Sequence, residues 1–116
     1  MTWEALLALD LVGRDISFYA MEPAYYEARG PIAEVIDLRA HSDRLAPENS
    51  VEVRCLWRNK RRVGGEAWVS GEDLGTTMLS MSFEIRTLHG DRIAITYGGA
   101  LVALIHAPED HIERVA

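Results

Sequence analysis

The chain has 116 residues, 12 Lys plus Arg against 18 Asp plus Glu, a net charge of −6 and 48% hydrophobic residues. That length and apolar share predict one domain over residues 1–116 with a core of its own, and they argue against wholesale disorder. A single cysteine excludes an intramolecular disulfide and a multi-cysteine zinc site, the acidic balance is unlike that of a non-specific nucleic-acid binder, and no apolar run is long enough to span a bilayer.

Residues 1–13 read as a short helix. Thr2 suits the N-cap, Trp3, Leu6, Leu7 and Leu11 form one apolar stripe, and Gly13 is placed to stop it. Glu4 and Asp10 interrupt the apolar residues and no basic stretch precedes them, so the segment does not read as a secretory signal and a cytoplasmic location is expected. Alternation of Ile16, Phe18 and Ala20 with Asp15, Ser17 and Tyr19 predicts a strand that ends before Pro23. Residues 25–38 are extended but broken by Gly30 and Pro31, which predicts either two strands or one bulged edge strand. A polar loop over residues 41–50 follows.

Val51, Val53, Cys55 and Trp57 alternate with Glu52, Arg54, Leu56 and Arg58, the pattern of a half-buried strand. Residues 59–65 then predict a hairpin tip, and residues 66–70 its return strand, carrying Trp68, with a further turn over 71–75. Residues 77–107 read as a three-stranded meander. Leu79, Met81, Phe83 and Ile85 form the apolar face of its first strand, and turns fall at Gly90-Asp91 and Gly98-Gly99. Pro108, followed by Glu109 and Asp110, suits the first turn of a short C-terminal helix. The expected fold is mainly β: a small antiparallel barrel or compact sandwich of six to seven strands, with a short N-terminal helix and a short C-terminal helical turn. Trp57, Trp68, Phe83, Tyr97 and Leu101 are the expected centre of its core, because aromatic and large aliphatic side chains bury the most area.

Two constellations are candidates for binding. Arg54, Arg58, Lys60, Arg61 and Arg62 concentrate positive charge in an acidic chain, and guanidinium forks match phosphate or carboxylate bidentately. The plainer reading is a solvated tip, partly neutralised by Glu66, Glu72 and Asp73. Tyr19, Tyr25 and Tyr26, near Met21 and Pro23, have the composition of an interface centre, or of a cross-strand packing layer.

Catalytic and metal signatures are missing. His106, Asp110 and His111 lie near one another but match no established ligand spacing, so no metal is assigned. Ser80 and Ser82 fall on the polar side of a regular strand, and Cys55 falls on an apolar side where a thiol is inert. No phosphate-binding loop or dinucleotide fingerprint is present, so no cofactor is assigned. The sequence therefore leads to a non-catalytic binding or assembly module acting on a protein partner or a second copy. The alternative is an anion, nucleotide or single-stranded nucleic-acid binder using the arginine-rich segment.

Overall fold

Seven antiparallel strands form a single sheet around an aliphatic core in the computed structural model. It describes residues 1–20, 26–40, 50–62 and 69–110, with side chains except at residues 20, 26, 27, 40, 56–62 and 69–74. Helix α1 covers Trp3–Leu7, followed by β1 (Asp15–Ala20), β2 (Tyr26–Asp37), β3 (Ser50–Arg62) and β4 (Val69–Ser80). Strands β5 (Glu84–Thr87), β6 (Ile93–Tyr97) and β7 (Ala100–Ile105) complete the sheet, whose order is β4-β3-β2-β1-β7-β6-β5. Short 3-10 turns cover Leu38–Ala40 and His89–Asp91.

This order corrects the expectation of a closed barrel or a two-sheet sandwich. Among the described residues β4 and β5 form the two ends of the sheet, and no ladder joins them. Yet only residues 81–83 connect them, and three linking residues reach no more than about 14 Å even when extended. The sheet must therefore curl until its ends approach, and it stops short of closing. The corner is a tight turn in which the Phe83 N–H donates to the Ser80 carbonyl at 3.1 Å. Ser80 and Ser82 share a hydroxyl contact at 2.7 Å in this turn, so they do not line the face of a continuous strand.

Alternation passes through that corner unbroken. Leu79 of β4 and Ile85 of β5 are buried, and Met81 and Phe83 pack against the same core. The period of two belongs to the wall of the curled sheet and not to one strand, so the meander proper begins at β5.

Three further expectations are corrected. Strand β2 is a single strand interrupted by register shifts, as an irregular strand should be, but it lies in the sheet interior between β1 and β3. Its ladder with β3 skips from Arg29 to Ile32, so the missing N–H of Pro31 falls in a gap. Strand β3 continues to Arg62, through the residues expected to form a tip. Residues 71–75 belong to β4, where the expected turn is only a bulge: Asn59 pairs with Ser70 and Trp57 with Asp73, leaving Gly71 and Glu72 opposite Arg58.

The core is aliphatic. Ile16, Ile32, Val51, Cys55, Leu79 and Ile95 are almost fully enclosed, and α1 covers one end of the curl with Trp3 and Leu6. Tyr97 is 64% exposed and Leu101 is also exposed, while Phe83 is half-buried against the Tyr97 ring at 5.4 Å between centroids. These three lie beside the β6–β7 turn or the corner, away from the sheet's middle. Trp68 lies outside the described residues.

The Thr2 hydroxyl accepts from the Ala5 N–H at 3.1 Å, so the predicted cap is present. The helix nevertheless ends at Leu7, well before residue 13. Gly13 instead donates to the Ile32 carbonyl at 2.8 Å with a φ of 92°, drawing the chain onto β2. After β7, the Asp110 N–H donates to the Ala107 carbonyl at 3.0 Å, which makes a single turn.

Candidate functional site

The basic residues lie along an interior strand. Arg54, Arg58, Lys60, Arg61 and Arg62 all belong to β3, which pairs with β2 on one side and β4 on the other. Arg54 is opposite Glu34, and Arg61 is opposite Glu27, so two of the five have a carboxylate residue as register partner. The Arg54 guanidinium is 3.9 Å from Glu34 and 3.7 Å from Glu52, so an incoming anion there would compete with two carboxylates. Its Nε is enclosed and makes no hydrogen bond.

Register also brings Tyr19 and Tyr26 to the same end of the sheet, in adjacent rows of opposite parity. Tyr19 pairs with Glu27 and Glu27 with Arg61; Ala20 pairs with Tyr26 and Tyr26 with Arg62. Two adjacent rows, Tyr19–Glu27–Arg61 and Ala20–Tyr26–Arg62, therefore cross β1, β2 and β3 at one end of the sheet, with neighbouring strands about 4.8 Å apart. Tyr19 is half-buried, and Tyr25 lies outside the described residues.

A second constellation, mostly unmarked in the sequence, is built on β1. This strand is buried on both faces: Ile16 and Phe18 enter the core, and Asp15 and Ser17 are buried on the other side. The His106 N–H donates to the Asp15 carbonyl at 2.9 Å and extends the β7–β1 ladder by one residue. That step brings the imidazole to Ser17, whose Oγ is 2.8 Å from Nε2, one donating to the other according to the tautomer. His106 Nδ1 is 3.6 Å from the Asp110 carboxylate. Arg29 of β2 joins both ends of the group, with Nε donating to Asp15 Oδ2 at 3.1 Å and Nη2 to the Asp110 carbonyl at 2.9 Å.

Serine, histidine and aspartate in this order are the parts of an activated nucleophile. Position decides against that chemistry. Ser17 has 0% of its surface exposed, so no substrate carbonyl reaches Oγ, and the outer histidine–carboxylate distance exceeds a hydrogen bond. The group acts as a polar clamp that holds residues 106–110 against β1 and β2. Of the sequence candidates His106, Asp110 and His111, the first two meet here and the third lies outside the described residues. No cluster of three or more metal-ligating His, Cys, Asp or Glu side chains occurs among the described residues.

Cys55 offers no nucleophile either, because burial pushes its thiol up to about 12. The enclosed space between α1 and the sheet measures ≈ 10 Å³, at most one water, so this part of the core is filled. No protein-family model, curated protein or solved structure matches the chain. No helix among the described residues is long and apolar enough to cross a membrane.

Proposed function

We propose that this protein is a non-catalytic binding or assembly module, acting in the cytoplasm through a protein–protein surface. One observation carries the reading: the register that sets Tyr19 and Arg61 in one row, and so on one face, at one end of the sheet. Tyrosine and arginine are the residue types enriched at the centres of interfaces, because each offers a large contact area with a polar or charged end. The filled space beneath α1 and the enclosed Ser17 favour surface recognition over chemistry on a bound substrate.

Light scattering at high concentration, combined with a Tyr19→Ala and Arg61→Glu double variant, tests the reading. Self-association or partner capture that the double variant abolishes supports it. A wild-type protein that stays monomeric, with a partner pull-down the double variant leaves unchanged, removes it.

Five basic residues along β3 favour a second reading, in which Arg54, Arg58, Lys60, Arg61 and Arg62 bind a nucleotide or single-stranded nucleic acid. Binding of a labelled oligonucleotide should then fall steeply with salt and be lost on charge reversal at Arg58 and Arg61. Absence of binding at low salt eliminates that reading.

A further inference from the structure

Arg14 stands at the other end of β1 from the tyrosine and arginine rows, and it is 8% exposed. Its Nε and Nη2 donate to the His106 carbonyl at 2.9 and 2.7 Å, and Nη2 also reaches the Asp91 carbonyl at 2.7 Å. Among the described residues no carboxylate lies at ion-pair distance from this guanidinium, although Asp91 and Glu109 act on it from further away. Among the described residues its Nη1 makes no hydrogen bond, and it is not fully enclosed. Carbonyl dipoles alone neutralise this buried charge incompletely, and burial pushes the guanidinium below its ordinary range.

Arg14 lines a groove of ≈ 280 Å³ whose apolar walls include Leu9, Leu88, Ile93 and Pro108. Leu9 and Leu88 are 42% and 38% exposed, so the groove offers apolar surface that a ligand tail would cover. Arg92 adds a second positive charge to the lining and Asp91 one negative charge. We propose that this groove binds a small monocarboxylate with an apolar tail, its head at Arg14 Nη1 and its tail along Leu9, Leu88 and Pro108.

Each part of that ligand follows from the lining. A carboxylate supplies the counter-charge that Arg14 lacks among the described residues, through a charge-assisted hydrogen bond. Asp91 in the wall disfavours a second negative charge, which selects a monoanion over a phosphate. The volume is just below that of drug-sized sites, which limits the tail to a short chain or single ring. The groove is remote from the proposed partner surface, so this inference and that reading fail independently.

Calorimetry on the full chain with octanoate, octan-1-ol and acetate tests it. Octanoate should bind at least tenfold more tightly than the other two, since only it offers both head and tail. Leu88→Glu, which sets a carboxylate on the exposed wall, should weaken octanoate at least tenfold with an unchanged thermal melt. Arg14→Gln should do the same if it folds, but Arg14 also fastens two backbone carbonyls, and Leu88→Glu keeps the test decisive. No octanoate binding at millimolar concentration, equal binding of octanol, or an unaffected Leu88→Glu protein each overturns the proposal. Tighter binding of a free-acid tripeptide than of octanoate overturns the choice of occupant.

Discussion

Ser17 carries its hydroxyl into a fully enclosed position, where the ring of His106 is its partner. Truncation to alanine leaves a buried imidazole nitrogen without that partner, so Ser17→Ala should cost about 1–3 kcal/mol, read by urea unfolding. A cost near zero would mean that the hydroxyl contact does not hold the clamp. Cys55 gives a residue-scale prediction in pH. Its thiol ionises near 9.0 in the unfolded chain and near 12 in the fold, so the folded state holds the proton longer. Stability must therefore fall as pH rises from about 9 towards 12, and Cys55→Ala should lose that part of the decline. The native thiol should also resist iodoacetamide at pH 8 and react once the chain is unfolded. Cys55 was legible in the sequence because its neighbours Val51 and Val53 share its parity. Ser17 was not, since a polar residue in an alternating strand reads as solvent-facing, and here the opposite face is covered as well.

Turns and caps are the elements in which local chemistry and the fold agree most closely. Gly98 and Gly99 have φ of 57° and 82°, the left-handed pair that a two-residue hairpin between β6 and β7 requires. A Cβ built at Gly99 meets nothing within 4 Å, so Gly99→Ala isolates the torsional cost. That cost should be about 1–2 kcal/mol in equilibrium unfolding, with ligand-free spectra otherwise unchanged. The Thr2 cap was similarly legible, and of the apolar stripe Trp3 and Leu6 are buried on α1, Leu7 packs partly against the core, and Leu11 is buried beyond the helix's end. Element boundaries were less so. Helix α1 stops at Leu7, and beyond it the Gly13 N–H on the Ile32 carbonyl ties the chain to β2, a tertiary contact that helical spacing cannot reveal. The alternation from Leu79 to Ile85 hid a corner for a related reason: a chain that turns while keeping one face inward preserves its period of two. The expected tip over residues 59–65 rested on local turn signals, whereas residues 59–62 continue β3, and pairing with β2 sets Glu34 opposite Arg54 and Glu27 opposite Arg61 from far away in sequence.

At the scale of the whole molecule, curling without closure leaves β4 at an end of the sheet, paired among the described residues with β3. Twelve residues of β4 run along β3, and among the described residues no strand joins its other edge. Residues 69–80 contain no Lys, Arg or Pro, the usual guards of an exposed edge, although Glu72 and Asp73 place acidic residues in its middle. Strand β1, by contrast, is paired on both sides and buried on both faces, so its amides can open only with much of the sheet. Hydrogen exchange should therefore show slow amides in β1 and β7 and a fast set in β4, consisting of those N–H groups that point away from β3. The same measurement separates two ways in which copies of this chain could associate. Edge-to-edge pairing would protect the outward β4 amides as protein concentration rises, because each would gain a carbonyl partner on the second copy. Contact through the row of Tyr19 and Arg61 would leave those amides fast at every concentration, since it uses side chains at one end of β1 and β3. The proposed partner surface requires the second pattern; protection confined to β4 that grows with concentration would transfer assembly to the sheet edge and leave the tyrosine and arginine rows as packing and solvation.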